Sequence, residues 1–215
     1  IEIAQNQIQQ LKSGVLLVRL YNKKNVINVL EEKGMMRRAE TLRDKYLKIN
    51  KNKILSFSDF SFCQVYFFYS SFSSDLINGN YDKVELFTDT LFTPIDINLD
   101  SNFFVADFGV LQNNNSRESN SLETKKTGRT KVKRYKGGQS NTEKKCLFLR
   151  DNTLTQVKNP FPFKVWLYPH PFNRPMRTDG SEIVIFKSKK IKNSVIKKAV
   201  MKLDEELKEF YSKNK

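Results

Sequence analysis

Phe62-Cys63-Gln64-Val65-Tyr66-Phe67-Phe68-Tyr69 is an aromatic and β-branched run that stops abruptly at Ser70-Ser71. A run of this length with no turn former reads as a strand buried on both faces. Working outward, Val15-Leu16-Leu17-Val18-Arg19-Leu20 precedes it and Phe103-Phe104-Val105-Ala106-Asp107-Phe108 follows, the latter expected to close at Gly109. Both also read as buried strands, and the near-continuous apolar character of the first favours a central position. Between the first two, Val26, Leu30, Met36, Ala39, Leu42, Tyr46 and Ile49 recur at helical spacing, with Gly34 dividing one helix from the next. A further short helical stretch spans 54–60. The order strand, helix, strand, loop, strand predicts an α/β or α+β fold, a mixed and partly parallel central sheet packed by helices.

The flanks extend this frame. Residues 6–13 are polar and helix-compatible, 70–80 form a polar connection, and 84–87 read as a short strand. Residues 146–151 resume the apolar pattern, 154–157 and 163–168 give further short strands, and 183–186 would be a hairpin partner of 163–168. Pro160, Pro162, Pro169, Pro171 and Pro175 make that region one of edges and turns. Ile196, Val200, Leu203, Leu207 and Phe210 form one stripe of a closing helix. Residues 1–215 are expected to form a single domain, with 112–144 a flexible insertion too poor in apolar residues to build a core.

The chain carries 38 Lys and Arg against 23 Asp and Glu, a net charge of +15. Residues 112–144 hold nine basic residues against three acidic, and residues 187–215 hold ten against four. Such a balance attracts anionic surfaces without identifying them. No stretch reaches the length of a membrane-spanning helix. Ala4-Gln5 would suit the end of a secretory signal, so an exported or periplasmic setting stands beside a cytoplasmic one.

Chemistry is sparsely signalled. Two distant cysteines, Cys63 and Cys146, and a single histidine, His170, give no metal-ligand spacing, and no cofactor fingerprint is present. The cysteines read as buried thiols, with a strand-to-strand disulfide the alternative. Ala106-Asp107-Phe108-Gly109 resembles the metal-binding segment of protein kinases over four residues, but no glycine-rich loop precedes it. Asp59, Asp75, Asp89, Asp107 and Asp151 lie near the ends of apolar runs, where α/β folds place catalytic groups, with Asp59, Asp107 and Asp151 the leading candidates. Arg19 and Arg150 close otherwise apolar strands, as anion-binding partners of those aspartates or as plain salt bridges to them. A small hydrolase would need two of the carboxylates together.

The basic run Lys125, Lys126, Arg129, Lys131, Lys133, Arg134, Tyr135 and Lys136 is the strongest local signal. It suits an acidic protein surface, nucleic acid or an anionic leaflet. Phe161, Phe163 and Phe172, among the prolines, would add an apolar docking face beside it. The expectation is therefore a noncatalytic interaction or accessory component with an acidic or apolar protein partner. A nucleic-acid-binding protein and a strand-end hydrolase are the alternatives.

Overall fold

The computed structural model describes residues 2–110, 145–167 and 193–214. It is a mixed α/β fold with a central sheet packed by helices. The strands are β1 (Val15–Leu20), β2 (Gln64–Tyr69), β3 (Leu86–Phe87), β4 (Phe103–Val110), β5 (Lys145–Arg150) and β6 (Lys164–Trp166), and they lie in the order β3-β2-β1-β4-β5-β6. β1 pairs in parallel with both β2 and β4, and the remaining pairs are antiparallel.

The centre of the sheet is β1, which corrects the reading of 62–69 as the strand buried on both faces. In β2 only Phe67 and Phe68 are fully buried; Gln64 is exposed and Val65, Tyr66 and Tyr69 are half-buried. The reason is position, because its outer neighbour β3 has just two residues and covers little of it. Leu16, Leu17, Val18 and Leu20 of β1 are inaccessible, as expected for a strand with parallel neighbours on both sides and covered faces. β4 also runs on through Gly109, which pairs with Cys146, instead of turning there.

One face is covered by α1 (Glu2–Ser13), by α5 (Asn193–Lys213) and by the end of α3 (Met36–Ser56). Ala4, Ile8 and Leu11 share one side of α1, and Ile196, Ala199, Val200, Leu203 and Leu207 one side of α5. They pack against Leu16, Val18, Phe104, Ala106, Leu147 and Leu149 of the sheet. The other face carries Leu17, Phe68, Phe103 and Val105 beneath Leu76 of the short α4 (Ser73–Ile77) and beneath Val84, Leu86 and Leu99. Gly14 joins α1 to β1 where a Cβ would lie 2.2 Å from the Asn102 carbonyl oxygen, so no larger residue fits without backbone movement.

A buried carboxylate fastens the start of β2 to α5. Asp204 Oδ1 accepts the backbone N–H groups of Ser61 (3.0 Å) and Phe62 (2.8 Å), and Lys208 pairs with its other oxygen. Lys12 of α1 donates to the Phe62 carbonyl at 2.6 Å. Three elements distant in sequence thus meet at one residue.

Between β1 and β2, α2 (Lys24–Glu32) and α3 form a helical hairpin. Gly34, at φ 70, takes the left-handed position after α2; its N–H donates to Glu31 O, and Met35 N–H donates to Leu30 O. That pattern caps the last turn of α2 and reverses the chain. The helical stretch expected separately at 54–60 belongs to α3 up to Ser56. At 21 residues α3 is roughly 31 Å long, yet within residues 36–49 it buries only Ala39.

The expected strand at 183–186 lies outside the described residues. Among the described residues no helix is long and apolar enough to cross a membrane.

Candidate functional site

β1 is where the direction of connection changes: the chain leaves it for β2 on one side and later returns to β4 on the other. In open α/β sheets the crevice beyond the strand ends at such a point is where ligands bind. Val18 pairs with Ala106, so Arg19 and Asp107 are next in register across the β1–β4 boundary. Arg150 pairs with Val105, two residues before Asp107 and on the same face. The apolar face of Leu17, Phe68, Phe103 and Val105 therefore gives way to three charged side chains at its edge.

Their geometry is convergent. Arg19 Nη1 donates to Asp107 Oδ2 at 3.2 Å, and Arg150 Nε lies 3.7 Å from the same oxygen. Tyr21 donates its hydroxyl to Asp107 Oδ1 at 2.9 Å, and the Phe108 backbone N–H donates to that oxygen at 2.8 Å. The Asp107 side chain is 4% exposed, whereas Arg19 and Arg150 keep 21% and 29%. Arg150 lies 4.9 Å from the Phe148 ring centre and donates through Nη1 to the Leu154 carbonyl at 2.8 Å.

Lys53, near the end of α3, closes the cluster from the opposite side of β1. Its ammonium lies 3.5 Å from the Arg19 carbonyl oxygen and about 5 Å from the ring centres of both Tyr21 and Phe108. Burial pulls the ammonium down to about 8; Asp107 opposes that shift and Arg19 adds to it. Burial also pushes the Tyr21 hydroxyl up to about 12, reinforced by the negative charge of Asp107. One turn earlier, Asn50 Nδ2 donates to the Tyr21 carbonyl at 3.1 Å.

Among the described residues three buried side-chain polar atoms lack a hydrogen-bond partner: Arg19 Nε, Arg150 Nε and Asn50 Oδ1. All three belong to the residues just described. Native interiors pair nearly all such atoms, so their concentration at one place marks it as unlike the rest of the core.

Of the strand-end residues singled out in the sequence, the structure brings together Arg19, Asp107 and Arg150. It does not bring in a second carboxylate. Asp59 is exposed, ion-paired to Lys197 at 2.7 Å, with its carboxyl held low by that lysine and by Ser58. Asp151 is spent on its own turn, accepting from the backbone N–H groups of Thr153 and Thr155. Tyr21 and Lys53 were missed. Tyr21 follows the strand and Lys53 looked like one more lysine of a basic helix; the only signal was a lysine beside Ile54, at the same end of the helix as the core residues.

Phe161 and Phe163 require a correction. Both are buried, Phe161 stacked on Phe104, so neither offers the docking face expected of them. Phe172, His170 and the basic run Lys125 to Lys136 lie outside the described residues.

Cys63 and Cys146 are not disulfide-bonded. A bond between them is sterically out of reach: β1 and β4 separate β2 from β5, a span of roughly 14 Å at ordinary strand spacing. Among the described residues no group of three His, Cys, Asp or Glu side chains could hold a metal ion. No protein-family model, curated protein or solved structure matches the chain.

Proposed function

We propose that the chain is an interaction component of a larger protein assembly, and that it docks through the α2–α3 hairpin onto a protein whose surface is acidic around an apolar ridge. The observation that carries this reading is the exposure of the hairpin's large apolar side chains. Met36 is 62% exposed, Val26 49% and Val29 45%, and Met35, Leu47 and Leu55 are exposed with them. Isolated exposed apolar residues are ordinary, but six on one two-helix arm are better explained by a covering surface. Their exposed area is worth about 1 kcal/mol apiece if buried.

Charge selects the partner. Residues 24–56 hold nine Lys or Arg against four acidic residues, and all but Lys53 of those basic residues are exposed. Rim charge of one sign speeds encounter with an acidic face and disfavours a basic one. The basic 112–144 segment would act in the same sense on composition alone.

The test is affinity purification of the intact chain and of a Val29→Asp/Met36→Asp double variant, with nuclease treatment, after circular dichroism has shown equal helicity. The expected result is a stoichiometric protein partner recovered by the intact chain and lost by the variant. Equal recovery by both, or recovery of nucleic acid with steep salt dependence in place of a protein, would overturn the reading.

A further inference from the structure

We infer that the edge formed by Arg19, Asp107 and Arg150 is a binding site for a dianionic phosphate group, held between the guanidinium groups of the two arginines. It concerns a different surface from the exposed apolar side chains of the hairpin.

The first support is charge. Among the described residues, Arg19, Arg150 and Lys53 bring three positive groups to a cluster whose one carboxylate is Asp107, leaving an excess of two. Uncompensated charge at partly buried side chains favours a counter-charge. A dianion balances it, whereas a monovalent carboxylate leaves half of it. Tyr21 does not alter the count, because burial and the Asp107 charge keep its hydroxyl protonated through the neutral range.

The second support is hydrogen-bonding capacity. Arg19 spends Nη1 on Asp107 and Arg150 spends Nη1 on Leu154, while among the described residues Nη2 of neither guanidinium makes a hydrogen bond. Guanidinium groups present several donors in one plane, which matches the oxygens of a phosphate. Asp107 fixes both groups and repels an anion from its own side, so the ligand must approach from the solvent-accessible edges of the arginines. Those edges exist, since both side chains remain partly exposed while Asp107 does not.

The third support is place. The cluster sits at the change of connection between β2 and β4 around β1, the position from which α/β sheets commonly bind ligands. Location alone would carry nothing. Here it coincides with unmatched charge and unmatched donors.

The test uses the full chain, with inorganic phosphate as the probe, followed by calorimetry and by the Nε–H resonances of Arg19 and Arg150 in 15N-labelled protein. Saturable one-to-one binding that shifts both resonances is expected. Arg150→Lys should weaken it about tenfold, the worth of one charge-assisted hydrogen bond, while the distant Lys213→Gln leaves it unchanged. Acetate at matched ionic strength should shift neither resonance appreciably. Absence of saturable binding, binding that leaves both resonances in place, or an equal response to acetate would overturn the assignment. The resonance titration needs no variant, so a folding defect in Arg150→Lys would not shield the claim.

Discussion

Arg19 Nη1 lies 3.2 Å from Asp107 Oδ2, an ion pair that bridges two adjacent parallel strands. Its carboxylate is nearly inaccessible and serves a second arginine and a tyrosine as well. Removing it strands two guanidinium groups and the Tyr21 hydroxyl in a poorly solvated place. Asp107→Ala is expected to lower unfolding free energy by about 3–5 kcal/mol. Arg150→Met, which breaks a longer contact at a more exposed residue, should cost about 1 kcal/mol. Urea denaturation of both variants checks the order.

The buried ammonium of Lys53 makes stability depend on pH in a defined window. Its value is about 8 when folded and 10.5 ordinarily, so between these the unfolded chain holds a proton that the folded chain has lost. Stability due to this group therefore rises with pH across the window, by about 3 kcal/mol if the full shift is expressed. Tyr21 acts in the opposite sense above pH 10, where the unfolded tyrosine ionises and the folded one does not until about 12. Lys53→Met should flatten the rise between pH 8 and 10 while leaving the fall above pH 10. Denaturation midpoints of the two proteins across that range measure the difference.

How much of this was legible beforehand differs by element. The strands β1, β2 and β4 were readable because Val, Leu and Phe in unbroken runs leave few other readings, and the α5 stripe because its spacing repeats over 15 positions from Ile196 to Phe210. The central place of β1 was readable in its near-continuous apolar run, but the partial exposure of β2 was not. Phe62 to Tyr69 is as apolar as β1, and only the two-residue length of β3 exposes part of β2. Arg19, Asp107 and Arg150 were visible one by one as polar ends of strands, but their convergence depends on register across β1, β4 and β5, which no local pattern encodes. The inward turn of Phe161 and Phe163 was lost in the same way, since an aromatic ring between prolines carries no local sign of its direction.

Asp204 should behave as a structural fastener. It is the acceptor for the Ser61 and Phe62 backbone N–H groups at the start of β2, and Phe62 is fully buried. Asp204→Ala leaves those donors unpaired and should cost about 2–3 kcal/mol, with Asp204→Asn recovering part of it because an amide oxygen still accepts. Thermal unfolding followed by far-ultraviolet circular dichroism gives the ranking.

The most direct measurement of the docking proposal is site-specific photo-crosslinking from the hairpin in cells of the native organism. With benzoylphenylalanine at Met36, on the arm, the account predicts a single cross-linked protein whose attached peptide is rich in Asp and Glu. At Ile77, equally exposed on α4 but away from the arm, it predicts none. Cross-linking at Ile77 without cross-linking at Met36, or cross-links from Met36 to nucleic acid alone, would contradict it.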